Sequence, residues 1–241
     1  MRSVNLENNG KIFTVINSAG KNAPVVVMFH GFTGNHIEAH FIFARLSKAL
    51  EKNGISSVRF DFRGSGNSSG TFEEMTLSSE SSDAYSVINY VKSHFNSRLG
   101  VLGLSMGGTV ALLTVEKVKP DALCLWAPAA KNREVFSPGI PAIPGDLEFF
   151  DVGGIRVSKQ FAKEVLSFDA FGNAKKYRGP ALIIHGTSDQ SVPFPHSQDL
   201  VKEFKSGKLI PVEGSDHVFS SFEWSEKAIS ETVKFFSEKL K

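Results

Sequence analysis

The feature that most restricts the fold of this chain is an alternation of short apolar β-type segments with helical segments. Residues 25–29 read VVVMF, a continuous apolar run typical of a strand that is covered on both faces. Further strand patterns occur at residues 57–62, 99–104, 122–126, 181–185 and 208–212. Helical patterns occur between and after them, at residues 40–52, 77–95, 106–118, 195–205 and 225–240. This alternation predicts an α/β fold with a mainly parallel central sheet and helices on both faces.

Two segments depart from this alternation. Residues 3–6 and 11–17 flank a turn cluster rich in asparagine and glycine, and they predict an opening β-hairpin. Residues 129–178 begin with several prolines, show no clean strand pattern and carry apolar residues of their own. A connection of about 50 residues between two sheet strands is too long for a plain loop, so we expect an inserted cap. The predicted domains are an α/β core of residues 1–128 and 179–241 and a cap of residues 129–178.

Composition narrows the class of protein. The 241 residues include 41% hydrophobic and 22% charged residues, which are the proportions of an ordinary globular protein and not of a disordered or fibrous one. The formal net charge of +2 gives no electrostatic reason to expect a nucleic acid or an anionic membrane as a partner. The first residues lack the apolar core of a signal peptide, and no apolar run is long enough to span a bilayer. We therefore expect a soluble, cytoplasmic protein.

The potential metal ligands restrict the chemistry further. Cys124 is the single cysteine, which excludes an internal disulfide and a cysteine-rich zinc site. No cluster of His, Asp and Glu has the spacing of metal ligands, so we expect neither a metal nor another cofactor. The glycine-rich segment at residues 63–70 lacks the lysine of a nucleotide-binding loop and predicts a tight loop after a strand.

A G-x-S-x-G motif offers a nucleophile. Gly103, Ser105 and Gly107 fit the pattern, and they lie between strand 99–104 and helix 106–118. This is the strand–turn–helix setting of a nucleophile elbow. The turn is sharp, and a Cβ at either glycine position would collide with neighbouring backbone. Ser105 is therefore predicted to project from the carboxyl edge of the sheet, where the ligand sites of α/β folds lie.

A serine nucleophile needs a base, and the base needs an acid that orients it. Among the seven histidines, His217 follows strand 208–212 at the same edge of the sheet, which makes it the candidate base. Asp189 follows strand 181–185 and is the candidate acid. Asp216 is adjacent to His217, and because neighbouring side chains on an extended loop point apart, it orients the imidazole poorly. The order Ser, Asp, His along the chain is the order of α/β-hydrolases.

The oxyanion that forms during acyl transfer needs hydrogen-bond donors. The backbone N–H of Met106, the residue after the nucleophile, is one candidate. The second candidate is the N–H of Phe32 in the HGFTG loop at residues 30–34, whose glycines allow the backbone to approach a substrate carbonyl. The Phe32 ring is expected to line the acyl pocket.

Together these motifs resemble the α/β-hydrolase superfamily, and within it the small bacterial cinnamoyl and feruloyl esterases. The matching motifs are HGFTG, DFRGSGNS, GLSMGG, HGTSDQSVP and GSDH, at residues 30–34, 61–68, 103–108, 185–193 and 214–217. The sequence L-W-A-P at residues 125–128, ahead of the inserted cap, adds to the likeness. The resemblance implies hydrolysis of hydroxycinnamate esters by Ser105, Asp189 and His217, with the cap contacting the aromatic acid.

The function predicted from the sequence is hydrolysis of a small-molecule carboxylic ester through an acyl-enzyme intermediate. A monoacylglycerol lipase or lysophospholipase is the main alternative, because a Phe-rich cap also suits an acyl chain. A serine peptidase and a non-catalytic hydrolase-fold binding protein are the remaining alternatives. The candidate substrate-binding residues of the cap are Phe149 and Phe150 as aromatic walls, with Asp146 and Gln160 as polar groups for a ring hydroxyl. The sequence is compatible with a homodimer but does not decide the oligomeric state.

Overall fold

A computed structural model of the chain describes residues 1–7, 10–95, 97–136 and 148–240. The strands in these residues are β1 (Arg2–Glu7), β2 (Lys11–Asn17), β3 (Val25–Phe29), β4 (Ser56–Phe60), β5 (Leu99–Leu104), β6 (Ala122–Trp126), β7 (Phe149–Val152), β8 (Ile155–Ser158), β9 (Ala181–Gly186) and β10 (Gly207–Val212). The helices in the same residues are α1 (Ile42–Lys52), α2 (Leu77–His94), α3 (Met106–Val118), α4 (Asn132–Phe136), α5 (Lys159–Ser167), α6 (Ala170–Lys176), α7 (Phe194–Leu200) and α8 (Phe222–Leu240). None of these described helices has both the length and the apolar character needed to cross a lipid bilayer.

The described strands form one large sheet and one small hairpin. The large sheet has eight strands in the order β1-β2-β4-β3-β5-β6-β9-β10. From β4 to β10 neighbouring strands run parallel, and β1 and β2 add an antiparallel hairpin at one edge. The predicted α/β fold with a mainly parallel sheet is confirmed.

Alternate residues of the central strands face opposite sides of the sheet, and helices cover each side. In β3, Val25, Val27 and Phe29 belong to a core that includes residues of α2 and α3. Val26 and Met28 belong to a second core, which includes residues of α1 and α8. All five side chains are buried. Burial on both faces explains why the strand reads as a continuous apolar run.

The segment between β6 and β9 contains a hairpin that the sequence did not reveal. Strands β7 and β8 pair as a separate antiparallel sheet, so the expectation of no clean strand in residues 129–178 was wrong. The connecting turn has Gly153 at φ 63° and Gly154 at φ 83°, and a two-residue hairpin turn often requires positive φ at both positions. Each strand has only four residues, so the alternation of buried and exposed side chains is too brief to stand out in the sequence.

Helix α5 connects this segment to the helices that cover the sheet. The Glu164 carboxylate accepts hydrogen bonds from the backbone N–H and the hydroxyl of Ser78, in the first turn of α2, at 2.8 and 2.9 Å. Phe161 of the same helix is buried and stacks against Phe32, with ring centroids 5.7 Å apart. The elements from α4 to α6 therefore lie against the main sheet-and-helix unit, and the division into core and cap at residues 129–178 stays a prediction.

Hydrogen bonds between loops set the end of β4, which stops at Phe60, two residues before the predicted end. The Asp61 carbonyl accepts the hydroxyl of Ser68 at 2.6 Å, within the glycine-rich loop that follows. The Phe62 N–H donates to His30 Nε2 at 3.0 Å, in the loop after β3. The Asp61 N–H still donates to the Phe13 carbonyl of β2 at 3.0 Å, and beyond that bond these loop contacts take the chain out of the sheet.

The packing of α8 against the sheet generates a stability prediction. Phe236 is fully buried, and a Cβ at Gly100 in β5 would come within 2.7 Å of its ring. Phe236→Ala is expected to lower the free energy of unfolding by about 3–5 kcal/mol, because packing contacts are lost and a cavity remains. Lys234 is exposed on the same helix, and Lys234→Ala is expected to change that free energy by less than about 0.5 kcal/mol. Urea denaturation measures both variants, and equal losses would contradict the packing described here.

Candidate active site

The predicted site residues meet at the carboxyl edge of the sheet. The chain passes from β3 outward to β4 and then returns to place β5 on the other side of β3, so the loops after β3 and β5 diverge. A crevice opens where the strand order switches in this way. The loops that follow β3, β5, β9 and β10 carry Phe32, Ser105, Asp189 and His217 respectively.

Ser105 lies at a strained turn between β5 and α3. Its backbone has φ 54° and ψ −119°, outside the regions that L-residues normally adopt. A Cβ at Gly103 would overlap the carbonyl of Gly107, and a Cβ at Gly107 would overlap the carbonyls of Phe29 and His30. The two glycines therefore permit the turn that places the Ser105 side chain in the crevice.

A continuous series of hydrogen bonds joins Ser105, His217 and Asp189. Ser105 Oγ lies 2.9 Å from His217 Nε2, and His217 Nδ1 lies 2.6 Å from Asp189 Oδ2. Because a carboxylate oxygen only accepts, Nδ1 carries the ring hydrogen and Nε2 is left to accept the hydrogen of the serine hydroxyl. In this geometry an imidazole can withdraw a proton from a serine.

The surroundings of Asp189 keep it ionised. Its side chain is inaccessible to solvent, and Oδ1 accepts the backbone N–H groups of Ser191 and Val192 at 2.8 Å each. Burial acts to raise the pKa of Asp189, but hydrogen bonds from two histidine rings and a backbone N–H, together with the charge of His217, hold that pKa well below its ordinary value. The carboxylate is therefore available to orient the imidazole across the pH range in which proteins work.

His185 is a part of this arrangement that the sequence analysis did not assign to the site. Its Nε2 lies 3.0 Å from Asp189 Oδ2 and 2.9 Å from the Val192 carbonyl, so one N–H is shared between two acceptors. Its Nδ1 accepts the hydroxyl of Ser197 at 2.6 Å. His185 is fully buried and shares the Asp189 oxygen with His217. The available signal was the four-residue spacing in HGTSD, which places a donor near the acid.

Asp216, the alternative acid, and the histidines His36 and His40 do not belong to this hydrogen-bonded series. Asp216 Oδ1 accepts the backbone N–H of Ser220 at 2.9 Å. His36 pairs with the buried Asp61 at 2.7 Å, and His40 is exposed. Of the two candidate acids, Asp189 is the one that lies against the imidazole of His217.

The loop after β3 forms a tight turn beside the serine. The Gly34 N–H donates to the Gly31 carbonyl at 3.0 Å, and Thr33 between them has φ 61°. His30 Nε2 accepts the N–H of Phe62, so Nδ1 carries the ring hydrogen and donates to the same Gly31 carbonyl at 2.9 Å. Burial lowers the pKa of His30 to about 4, which keeps this ring neutral near pH 7. The position of the Gly31 carbonyl is thus fixed by two donors.

The backbone N–H groups of Phe32 and Met106, near Ser105, lack an acceptor within the described protein residues. In a trans peptide the N–H points opposite to the preceding carbonyl, so the Phe32 N–H points away from the donors that hold Gly31. Met106 is the first residue of α3, where N–H groups have no partner inside the helix. A Cβ at Gly31 would lie 3.3 Å from Ser105 Cβ, so the turn is in contact with the serine.

A cavity of about 320 Å³ includes Ser105 and His217 in its wall. The other described lining residues are mainly apolar, namely Phe32, Val135, Phe136, Val152, Phe161 and Val192, with Ser191 as a polar neighbour. The ring centroids of Phe136 lie 5.9 Å from Phe32 and 5.7 Å from Phe161. Within the same described part of the chain, no group of three or more His, Cys, Asp or Glu side chains could hold a metal ion.

The cap residues predicted to bind substrate are not brought to this cavity. Phe149 is 36% exposed, and Phe150 is buried in the core. Gln160 is exposed and donates to Glu164 Oε1 at 2.8 Å. Asp146 lies outside the described residues. The described cap side chains that line the cavity are Val135, Phe136, Val152 and Phe161. Phe161 is adjacent to Gln160, and tertiary packing rather than local sequence decides which of these two side chains points inward.

Comparison with known proteins identifies the family. A family model described as "Serine aminopeptidase, S33" matches residues 20–146, just over half of the chain. The chain belongs to this family. The S33 family match covers the turn after β3 and the Ser105 turn, but not Asp189 or His217. This S33 family member is 29% identical to lysophosphatidylserine lipase ABHD12 of Danio rerio, over 76% of the chain and 48% of that protein. The chain spans about half the length of the first curated relatives it matches.

Solved structures have the same fold as this S33 family member. Est1E from Butyrivibrio proteoclasticus, determined with ferulic acid bound, matches with a TM-score of 0.89 and 24% identity over 98% of both chains. A monoacylglycerol lipase from Paleococcus ferrophilus matches with a TM-score of 0.73 and 19% identity, over 95% of this chain and 99% of the other. At these identities the similarity shows the α/β-hydrolase fold.

The geometry of this S33 family site predicts which serine reacts. An alkyl fluorophosphonate is expected to react with Ser105, because Ser105 Oγ lies 2.9 Å from Nε2 of His217, the candidate base. Ser191 lines the same cavity and provides a control. Ser191→Ala is expected to be labelled at the wild-type rate, and Ser105→Ala is expected to remain unlabelled. Peptide mapping by mass spectrometry locates the adduct, and an adduct on Ser191 would contradict this assignment.

Proposed function

We propose that the protein is a serine ester hydrolase that works through an acyl-enzyme intermediate. The observation that carries the proposal is the hydrogen-bonded series of Ser105, His217 and Asp189 in the wall of an apolar cavity. The unpaired N–H groups of Phe32 and Met106 add donors for an oxyanion. A nucleophile, a base, an orienting acid and oxyanion donors are the parts that acyl transfer needs.

The proposed reaction has two half-reactions. In the first, His217 Nε2 takes the proton of Ser105 as Oγ attacks the ester carbonyl carbon. The oxyanion accepts hydrogen bonds from the N–H groups of Phe32 and Met106, and Asp189 stabilises the imidazolium. The imidazolium then gives its proton to the departing alkoxide, which leaves as an alcohol while the acyl group stays on Ser105. In the second half-reaction His217 takes a proton from the water that attacks the acyl carbon, and it returns that proton to Ser105 Oγ as the acid leaves.

We propose aromatic acids, and hydroxycinnamic acids in particular, as the acyl group. The rings of Phe32, Phe136 and Phe161 offer stacked and edge contacts to an aromatic substrate, which are favourable arrangements. The cavity volume of about 320 Å³ lies at the small end of the usual range of about 300–1,000 Å³ for ligand pockets, as suits a compact acid. The bound ferulic acid in Est1E, a protein of the same fold, supports this choice.

Hydrolysis of a lysophospholipid or monoacylglycerol is the second candidate. One curated relative is named a lysophosphatidylserine lipase, and one structural relative is named a monoacylglycerol lipase. The valines that line the cavity, Val135, Val152 and Val192, would pack against an alkyl chain as readily as against a ring. The family description names a peptidase activity, which the peptide anilide in the substrate panel described below tests.

The two acids near His217 give a direct test of the proposed mechanism. Ser105→Ala is expected to lower kcat on the order of 10⁴–10⁶-fold. Asp189→Asn is expected to lower kcat on the order of 10⁴-fold, because the amide favours the wrong imidazole tautomer. Asp216→Asn is the matched control, since Asp216 bonds to the Ser220 N–H, and it is expected to retain most of the activity. Steady-state kinetics on a nitrophenyl ester measures all three, and a larger loss in Asp216→Asn would refute the assignment of the acid.

A substrate panel tests the acyl group. The panel compares methyl ferulate, nitrophenyl acetate, a long-chain monoacylglycerol and a peptide anilide. Methyl ferulate is expected to give a higher kcat/KM than the monoacylglycerol and the peptide anilide. Loss of the Phe136 ring removes apolar contact, so Phe136→Ala is expected to lower kcat/KM for methyl ferulate by about tenfold. The same change is expected to leave kcat/KM for nitrophenyl acetate within about threefold of the wild-type value, because the acetyl group fills little of the cavity.

The matched control for the panel is Phe149→Ala. The Phe149 ring contacts the Arg156 guanidinium at 4.8 Å and does not line the cavity, so both esters are expected to react at wild-type rates. Equal losses on both esters in Phe136→Ala would mean that Phe136 does not contact the acyl group. Preferential hydrolysis of the monoacylglycerol would favour the second candidate function.

A further inference from the structure

The chain that follows the turn after β3 has an unusual backbone. Glu38 has φ 60° and ψ 172°, a combination that is essentially restricted to glycine. His40 and Phe41 also have positive φ, at 54° and 58°. Strain of this kind persists only where surrounding contacts fix the conformation, and it concentrates near functional sites.

The Glu38 side chain provides such contacts. Its Oε1 accepts the backbone N–H of Gly31 at 2.7 Å, seven residues earlier, and Oε2 accepts the N–H of Ala39 at 3.3 Å. The carboxylate packs directly against Gly34, where a Cβ would overlap Oε1. No Lys or Arg among the described residues forms an ion pair with Glu38, so backbone N–H groups are its partners. The strained backbone at residue 38 therefore carries a side chain aimed at the turn beside Ser105.

The hydrogen bond from Gly31 to Glu38 helps to fix the orientation of the two peptide groups that precede Phe32. Glu38 holds the N–H of the first, between His30 and Gly31. The His30 ring and the Gly34 N–H hold the carbonyl of the second, between Gly31 and Phe32. Because each peptide group is planar, fixing one polar atom of each also fixes the other. The direction of the Phe32 N–H is thus determined by Glu38 from one side and by His30 and Gly34 from the other.

The Glu38 carboxyl is partly buried, which is consistent with a position at the edge of the site. Removal from water raises the pKa of Glu38, while the N–H groups of Gly31 and Ala39 and the charge of His217 act in the opposite direction. The Glu38 carboxyl is therefore held by backbone N–H groups, and no direct hydrogen bond joins it to His217 among the described residues.

We propose that Glu38 is a positioning residue for the oxyanion hole, one that fixes the Phe32 N–H through the Gly31 peptide without touching the reacting atoms. This inference rests on the proposed function, because it assigns Glu38 a role in the same acyl-transfer reaction. It gives a role to a side chain that stands at a glycine-like backbone conformation. A misplaced donor weakens binding of the transition state more than binding of the substrate.

Replacement of Glu38 by Ala, Gln and Gly tests this role on a nitrophenyl ester. Glu38→Ala removes the acceptor, so kcat is expected to fall by about 10–100-fold with KM within about threefold of wild type. Glu38→Gln keeps a carbonyl oxygen that can accept the Gly31 N–H, and its kcat is expected to stay within about threefold of wild type. The affinity for an aryl trifluoromethyl ketone, which forms a tetrahedral adduct with the serine, is expected to fall in parallel with kcat/KM in Glu38→Ala.

Glu38→Gly separates catalysis from stability. Glycine relieves the backbone strain and lacks the carboxylate, so Glu38→Gly is expected to melt at a higher temperature than Glu38→Ala while losing as much kcat. Asn35→Ala is the control for general loosening of the loop, because Asn35 Oδ1 accepts the Ile37 N–H at 2.9 Å and has no bond to Gly31. Its kcat is expected to remain near the wild-type value.

Different failures have different meanings. Wild-type kcat in folded Glu38→Ala, or a loss in Asn35→Ala equal to that in Glu38→Ala, would overturn the positioning role while leaving the proposed function intact. A loss in Glu38→Gln as large as in Glu38→Ala would also overturn it, because the hydrogen bond would then not be the relevant contact. A wild-type protein that hydrolyses no ester and whose Ser105 reacts with no fluorophosphonate would overturn the proposed function, and the role of Glu38 with it.

Discussion

The contact between Gly107 and the backbone at the end of β3 is the constraint on which the site depends. A side chain at residue 107 would overlap the carbonyls of Phe29 and His30, so the start of α3 approaches the main chain of the neighbouring strand as closely as backbone permits. This approach aligns two loops that leave the sheet in different directions. One loop holds Ser105 and Met106, and the other holds Phe32. The relative positions of Ser105 and of the Phe32 and Met106 N–H groups therefore depend on this packing contact between backbones.

Buried polar side chains then fix the loops in place. His30 lies between two loops, since it accepts an N–H from Phe62 and donates to the carbonyl of Gly31. Asp61 accepts the backbone N–H groups of His36 and Asn67, at 2.6 and 2.8 Å. A buried polar group that loses its partner costs about 1–3 kcal/mol, so each of these bonds resists movement of its loop. The rigidity of the site comes from hydrogen bonds between buried side chains and the main chain. Such bonds have a defined direction, so they fix the position of a loop more specifically than apolar packing does.

The sequence predicted the sheet and the three polar side chains of the site for one physical reason. Parallel strands place their following loops at the same edge, so Ser105, Asp189 and His217 could be brought together from strand order alone, without knowledge of packing. The cap was less predictable. Its hairpin strands are short, and whether Phe149 or Val152 faces the cavity depends on tertiary packing that no local pattern reports. Glu38 was missed for a related reason, because its hydrogen bond to Gly31 depends on a backbone conformation at residue 38 that L-residues rarely adopt.

Phe32 combines two features that respond differently to substitution. Its ring stacks on Phe161 and lines the cavity, whereas its N–H belongs to the main chain and is present whatever side chain residue 32 carries, proline excepted. A lineage could therefore exchange the ring for a smaller or more polar group and change the shape and polarity of the cavity, while the backbone N–H remains unaltered. Within this single residue, the side chain can change during evolution while the backbone N–H stays the same. This arrangement offers one route by which proteins of this fold can diversify their substrates without rebuilding their chemistry.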